Sequence, residues 1–306
     1  MYLTTTTSIV LTIISRLIAI AFYTLAERKF LGYLQYRKGP NKPRIIAISI
    51  PLADAVKLFL KEEKNTININ SKYYLVSPSS IITISLLLWA TYPHYSILLF
   101  IKFGALYFLA ITSIRIYTTF MAGWRSNSKW GLLGALRGIA QSISYEVRIS
   151  LILILLVIHP LSINIQKITQ YYYNWIIVLT IPLAIIWIIS ILAETHRTPF
   201  DFREGESELV SGFNIEYRSS PFAIIFIAEY INILLIRLLS ATILIRSCSN
   251  IDIIIKTVTV SLIFIWARGS LPRARYDILI DALWKKIIPV TLILRLFIFS
   301  FVKLLK

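Results

Sequence analysis

The chain has few of the side chains that hold metals or form disulfides. Cys248 is the only cysteine among 306 residues and there are three histidines, so no intramolecular disulfide can form and no spacing suits zinc or an iron–sulfur cluster. Glycine is also scarce, and none of the ten glycines belongs to a phosphate-binding, dinucleotide-binding or nucleophile-elbow motif. We therefore expect no bound metal or flavin and no catalytic residue in this chain.

Acidic residues are few as well, with 15 Asp and Glu against 32 Lys and Arg. The bases do not form a solvated face with interleaved aromatics, which nucleic-acid binding would require. Hydrophobic residues make up 57% of the chain and the mean hydropathy is +0.72, more than a soluble domain of this length can bury. The composition predicts an all-α integral membrane protein without a nucleic-acid partner.

Eight apolar runs approach the length of about 20 residues that crosses a bilayer. They lie at 8–25, 76–92, 103–121, 136–158, 175–193, 222–245, 253–266 and 287–302. No basic segment precedes the first run and no small-residue cleavage site follows it, so we expect it to be retained as a span. The chain shows no internal repeat, and we expect residues 1–306 to form a single polytopic membrane domain.

The segments between the runs alternate in charge. Bases lie in 28–72, 123–135, 194–220 and 267–286, whereas the segments near 93–100, 159–174 and 246–252 hold only Lys167 and Arg246. Basic loops stay on the inner side of a membrane. The pattern therefore predicts four basic loops on the inner side and both termini on the opposite side.

The segment 45–63 differs from the apolar runs because it is amphipathic. Its apolar residues recur with helical spacing, and Pro51 suits a first helical turn. The apolar residues are Leu52, Ala55, Val56, Phe59 and Leu60, and Asp54, Lys57 and Lys61 share the other face. We predict a helix near 51–60 that lies on the membrane surface, although a plain connector stays open as an alternative.

Four carboxylates lie at similar depth within the apolar runs or at their inner ends. They are Glu27, Glu146, Glu194 and Glu229. An intramembrane carboxylate costs a few kcal/mol and usually faces a bundle interior or a water-filled cavity. Each acid could instead pair with a nearby base such as Arg137 or Arg197, but four at one depth favour a polar path for protons.

The loop 193–217 gathers further acids. They are Asp201, Glu204, Glu206, Glu208 and Glu216, which follow Glu194. Apolar residues such as Phe200 and Phe213 are interleaved with them, which favours a folded, partly buried loop over a flexible one. Closely spaced carboxylates titrate as a group, so this loop could line a cavity or bind a partner.

These segments resemble one known family. The resemblance rests on 26–42, 54–62, 135–147, 193–217, 228–230 and 266–277, with A-E-R-K-F-L-G-Y, R-T-P-F-D and E-G-E-S-E-L-V among the motifs. Together they are similar to the NADH-ubiquinone oxidoreductase chain 1 family, mitochondrially encoded membrane subunits of respiratory complex I. The likeness covers nearly the whole chain.

The resemblance implies a location, a substrate and partners. The chain would lie in the mitochondrial inner membrane, with both termini on the intermembrane-space side and the basic loops in the matrix. Ubiquinone would be the substrate, and the chain would hold no cofactor of its own. The partners would be quinone-reducing and iron–sulfur subunits of the peripheral arm, neighbouring small membrane subunits and membrane lipids.

The resemblance also implies roles for individual residues. A quinone channel would be lined by Arg28, Arg37, Asp54, Phe222, Phe226, Arg268 and Arg273. Proton coupling would use Glu27, Glu146, Glu194, Asp201, Glu204, Glu206, Glu208, Glu216 and Glu229. Supporting positions would be Arg137, Arg197, Tyr145 and Tyr230.

Seven arginines are unexpected, either within a membrane segment or against the family pattern. Five fall within predicted spans: Arg16, Arg115, Arg148, Arg237 and Arg295. Three stand where related sequences usually have serine or another small residue: Arg148, Arg203 and Arg218. An arginine at the centre of a span costs about 2.5–3.5 kcal/mol. Methionine occurs only twice, and many invertebrate mitochondria read AGA and AGG as serine and ATA as methionine. We hypothesise that some of these arginines, and many isoleucines, result from translation with the standard code.

Other functions remain possible from the sequence. A proton-coupled secondary transporter would also carry acids within its spans, but it would show inverted repeats and work without partners. A related hydrogenase or ion-translocating membrane subunit would share the fold without the quinone. A simple membrane anchor would not need intramembrane acids.

Overall fold

The computed structural model describes residues 2–42, 47–62, 74–92, 101–158, 164–165, 181–203, 212–244 and 250–304. The regular secondary structure in these ranges is helical, and they contain no strand. The helices are α1 (Tyr2–Leu34), α2 (Ile50–Leu60), α3 (Val76–Leu88), α4 (Gly104–Arg125), α5 (Lys129–Ile158), α6 (Ile181–Glu194), α7 (Ser219–Leu244), α8 (Asn250–Ser270), α9 (Tyr276–Ala282) and α10 (Ile288–Leu304). Trp89–Thr91 extends α3 as a 3-10 turn, and a π turn at Leu283–Ile287 joins α9 to α10.

Four of these helices are long and apolar enough to cross a membrane. They are Val10–Leu34 within α1, Gly104–Arg125, Lys129–Leu155 within α5, and Ser219–Leu244, which coincide with the first, third, fourth and sixth apolar runs. The second and fifth runs contain the shorter apolar helices Val76–Thr91 and Ile181–Glu194. The all-helical membrane class is thus supported, and eight crossings stay a prediction.

Helix α7 lies at the centre of the bundle. Apolar residues lie on all of its sides, the pattern of a helix surrounded by other helices, and most of its side chains are buried. It packs against α1, α2, α3 and α8. Ile231 and Leu235 of α7 join Ile152 of α5 and Trp187 of α6 in the main apolar core, so α7 places its polar residues between the other helices.

Helices α4 and α5 form a tight hairpin. Asn127 takes a left-handed conformation in the turn, with φ 47°, and Ser128 Oγ caps α5 by accepting a hydrogen bond from Gly131 N at 3.1 Å. A Cβ at Gly123 would lie 2.3 Å from the Ala135 Cβ. The close approach of the two backbones therefore requires glycine at position 123.

The amphipathic segment forms the predicted helix, with Pro51 in its first turn. No residue of α2 is buried, and Leu52, Val56 and Leu60 are exposed. The helix contacts α1 and α7. Its place on the membrane surface stays a prediction.

Candidate functional site

The turn at the end of α6 directs three titratable residues toward the inside of the bundle. The His196 amide donates to the Ala193 carbonyl at 3.2 Å, and the Arg197 amide donates to the Leu192 carbonyl at 3.4 Å. His196 takes a left-handed conformation with φ 48°, and the Thr198–Pro199 peptide bond is cis. This turn brings Glu194, His196 and Arg197 to one cavity.

We call this space the central cavity. Its volume is about 40 Å³, which is enough for more than one water molecule. It is lined by Ile81, Arg115, Thr119, Glu194, Thr195, His196, Arg197, Arg203, Glu229, Asn232 and Ile233. Because these residues come from α3, α4, α6, α7 and the loop after α6, only the folded bundle creates the cavity.

Two of the predicted carboxylates face the central cavity, each beside an arginine. Glu194 is 4% exposed and forms an ion pair with Arg115 of α4. Glu229 lies 3.3 Å from the Arg203 guanidinium, which in turn lies 3.7 Å above the centre of the Phe213 ring. Each pair limits the cost of a charge inside the bundle.

Glu146 lies near the same pairs. It projects from α5 and is only partly buried, and it is close enough to interact electrostatically with Arg115 and Glu194. Two of the four predicted intramembrane acids therefore line the central cavity, and Glu146 is close enough to Glu194 to interact with it electrostatically.

His196 adds a titratable group that the sequence analysis did not select. Its Nδ1 atom is buried and has no hydrogen-bond partner among the residues described. Burial lowers the pKa of His196 well below its usual value, and the charges of Arg203 and Arg115 lower it further. The imidazole is therefore neutral at physiological pH.

The fourth acid, Glu27, forms a separate cluster between α1, α7 and α8, which we call the Glu27 cluster. Tyr23 Oη donates to Glu27 Oε1 at 2.7 Å, and Tyr230 Oη donates to Oε2 at 3.0 Å. Arg268 Nη1 lies 3.3 Å from Oε2 and Arg237 Nη2 lies 3.8 Å from Oε1. Three hydrogen bonds and one longer ion-pair contact around this buried carboxyl group fit the ionised form, which only accepts hydrogen bonds.

Arg197 lies between the Glu27 cluster and the central cavity. Its guanidinium lies 4.6 Å above the centre of the Tyr230 ring, and the residue also lines the cavity. Burial opposes its charge, but Tyr230, Glu27 and Glu229 outweigh that effect and raise the pKa of Arg197. The Arg197 guanidinium thus interacts with Glu27 in the Glu27 cluster and with Glu229 at the central cavity.

A row of aromatic rings runs along α7 toward the Glu27 cluster. The ring centres of Phe222 and Phe226 are 6.3 Å apart, those of Phe226 and Tyr230 are 4.6 Å apart, and those of Tyr230 and Tyr23 are 6.1 Å apart. The spacing of four residues places the three α7 rings on one helix face. This aromatic row forms an apolar surface that ends at buried charges.

The remaining predicted residues lie nearer the surface. Arg28 and Asp54 join α1 to α2 through an ion pair of 3.4 Å, with both side chains about half exposed. Arg37 is exposed, and the exposed Arg273 donates to the backbone carbonyl of Asp201.

Other predicted residues bind neighbouring segments. The Glu216 carbonyl accepts a hydrogen bond from Tyr74 Oη at 2.9 Å. Tyr145 is buried, with its ring centre 6.5 Å from that of Phe200. Arg137 lies close enough to Tyr276 for its positive charge to favour the ionised form of that tyrosine. Glu204, Glu206 and Glu208 lie outside the described residues.

Several residues of the site were not predicted as members. Tyr23 lies four positions before Glu27, a spacing that places both on one helix face and could have identified it. Arg115, Arg203 and Arg237 were noted only as arginines that fit poorly, since the acids that they meet in the fold are not their neighbours in the sequence. The structure provides each of them with a carboxylate from another segment.

Comparison with known proteins gives matches over nearly the full length. A family model described as NADH dehydrogenase matches residues 7–299. A NADH-ubiquinone oxidoreductase chain 1 from Aedes aegypti is 46% identical over 293 residues, which cover 95% of this chain and 94% of that protein. Proteins of the same name from Lemur catta and Papio hamadryas are each 44% identical, over 93% and 95% of this chain and 92% and 94% of their own lengths.

Proposed function

Because the chain belongs to the NADH dehydrogenase family, we propose that it forms the ubiquinone entry channel of a proton-pumping NADH:ubiquinone oxidoreductase and couples quinone reduction to proton movement. The relatives are named as chain 1 of NADH-ubiquinone oxidoreductase. The chain is accordingly a membrane subunit of that oxidoreductase in the mitochondrial respiratory chain, and it acts within an assembly. Both termini would lie on the intermembrane-space side.

Within this proposal, the quinone channel lies beside the aromatic row. An isoprenoid tail needs an apolar surface, whereas the quinone head needs polar contacts. Phe222 and Phe226 offer the apolar surface for the tail. The aromatic row leads to Arg268 in the Glu27 cluster, which offers a polar contact for the head. Helix α2, tied to α1 by Arg28 and Asp54, would border the entrance, and Arg37 and Arg273 would belong to its basic rim.

The proton-coupling proposal rests on one observation above all. Glu194 and Glu229, which are far apart in the sequence, face the same central cavity, with Glu146 nearby. Quinone reduction would change the protonation of the loop acids, which include Asp201, Glu204, Glu206, Glu208 and Glu216. The change would then pass to Glu146 and Glu229, while Arg197, positioned between the two groups, would connect Glu27 to them. Arg137, Tyr145 and Tyr230 would hold the surrounding structure.

A first experiment tests membership of the assembly. Native membranes are solubilised gently, the complexes are separated on a native gel, and inhibitor-sensitive NADH:quinone reductase activity is measured in the band that contains this chain. We expect it in a very large, active assembly with peripheral-arm and small membrane subunits. A chain that migrates alone without activity would instead support the proton-coupled transporter.

A second experiment tests the coupling. Glu146→Gln and Glu229→Gln each keep the shape of the side chain and remove its proton exchange. We expect fewer protons pumped per NADH oxidised in the assembled complex. Unchanged stoichiometry in both variants would refute the proposed coupling.

A further inference from the structure

The central cavity contains hydrogen-bond acceptors that protein donors do not satisfy. Four buried acceptor atoms of its lining residues have no hydrogen-bond partner among the described residues: Glu194 Oε2, His196 Nδ1, Asn232 Oδ1 and Glu229 Oε1, which forms the ion pair with Arg203. A buried acceptor without a donor costs about 1–3 kcal/mol, and bound water usually provides the donor in a polar space of sufficient size. The lining of the cavity therefore suits water molecules that bridge these acceptors.

His196 differs chemically from the other polar residues around this space. An ionised carboxylate only accepts hydrogen bonds, and a guanidinium only donates them. A neutral imidazole donates from one ring nitrogen and accepts at the other, so it can pass a proton on while it receives another. Thr119, Thr195 and Asn232 also line the cavity, but they do not exchange protons near neutral pH.

We propose that His196 relays protons between Glu194 and Glu229 through water molecules bound in the central cavity. This inference rests on the proposed function and names a residue of its proton path. A protonated carboxyl group at one end gives its proton to water, and the water passes a proton to His196 Nδ1. The other ring nitrogen then releases its own proton through water to the carboxylate at the far end. One proton has moved, and the ring is again neutral.

The charges around His196 keep its protonated form short-lived. Arg115 on α4 and Arg203 on the loop after α6 disfavour a positive imidazole, and Arg197 lies on the same turn. Glu194 and Glu229 favour the positive ring, and Glu146 on α5 adds to the negative charge near Glu194. A proton on His196 is therefore passed on, and the ring does not become a permanent cation.

Two variants separate proton transfer from simple hydrogen bonding. His196→Asn keeps an acceptor but cannot carry a proton, and His196→Leu removes both properties. We expect both variants to lower the rate of proton pumping by roughly tenfold or more, as for a lost acid–base group, while the complex still assembles on native gels. If His196→Asn pumps like the original protein and His196→Leu does not, His196 only holds water and the relay is refuted. Normal pumping in both variants also refutes it.

Two further measurements separate a failure of the relay from a failure of the proposed function. The second uses the unmodified complex, so it does not depend on the assembly of a variant. Glu229→Gln lowers proton pumping if the proposed function holds. If Glu229→Gln pumps less but His196→Asn pumps normally, only the relay is overturned. In the unmodified complex, infrared difference spectra recorded during NADH turnover should show protonation changes of imidazole that respond to deuterium. The absence of any imidazole band overturns the relay even when no variant assembles.

Discussion

Replacement of Gly134 by alanine should displace the turn at 212–214, whose Phe213 ring packs against Arg203 of the central cavity. Gly134 lies in α5, in a G-x-x-x-G pattern with Gly138. A Cβ at position 134 would lie 2.9 Å from the Gly212 Cα, 3.0 Å from the Gly212 carbonyl carbon and 3.0 Å from the Phe213 amide nitrogen. These are backbone atoms, so no side-chain rotation can make room.

The magnitude follows from the overlap. Ordinary contacts of a Cβ begin at 3.4 Å, so the 212–214 turn must move by about 0.5 Å. Overpacking of this kind typically costs about 1–3 kcal/mol, and the better helix propensity of alanine returns about 0.5–1 kcal/mol. We expect a net destabilisation of about 1–2 kcal/mol at this contact.

Gly138→Ala is the matched control on the same helix. The three atoms nearest to its Cβ would belong to the Arg203 side chain, at 3.2–3.5 Å, so the overlap is smaller than at Gly134 and involves no backbone atom among them. We therefore expect this variant to lose less stability than Gly134→Ala.

The assay is the half-life of quinone reductase activity in the solubilised complex at a fixed raised temperature. Since 1.36 kcal/mol corresponds to a factor of ten in rate, the half-life of Gly134→Ala should shorten by about tenfold if the strain is released before inactivation. Equal half-lives for the two variants, or a shorter one for Gly138→Ala, would show that the backbone contact at Gly134 does not limit stability.

Three other predictions follow from buried polar groups. Glu27→Gln should reduce the amount of assembled complex on native gels far more than Tyr23→Phe, because it removes the negative charge beside two guanidiniums rather than one hydrogen bond; equal amounts would contradict this. The pKa of His196 is lower in the folded protein than in the unfolded chain, so the unfolded chain binds more protons below pH 6.5 and stability should fall as the pH drops below that value. In a measurement of inactivation against pH, His196→Asn should lose stability less steeply over this range. Peptide mass spectrometry of the native protein should show serine at position 148, since Arg148 is fully buried and its guanidinium lies over the Tyr145 ring with no hydrogen-bond partner in the described part of the chain. Arginine there would refute the codon hypothesis at this site.

The same mass spectra would also identify the residues at positions 115, 203 and 237. Arg115, Arg203 and Arg237 share the codon hypothesis with Arg148, yet each faces a carboxylate in the fold. Serine at those positions would leave the acids with hydroxyl neighbours instead of cations. The masses therefore decide how much positive charge surrounds the Glu27 cluster and the central cavity.

The sequence alone determined the helical membrane class and the positions of the main helices. Apolar runs of sufficient length require helices in a bilayer, because no water satisfies the backbone there. The periodicity of 51–60 and the position of Pro51 predicted α2. The depth of the acids in their runs correctly indicated that Glu27 and Glu194 would be buried, since charged residues in a span face inward.

Only the tertiary structure decided which charges meet. Arg115 and Glu194 are 79 positions apart, and Tyr230 and Glu27 are 203 positions apart, so neither contact follows from local periodicity. Packing around α7 separates Glu27 from Glu194 and Glu229, although all three lie at similar depth in the sequence pattern. The left-handed turn at His196 is likewise set by how α6 ends. Helix formation depends on near neighbours in the chain, whereas the environment of a buried carboxylate depends on the side chains that other helices bring to it.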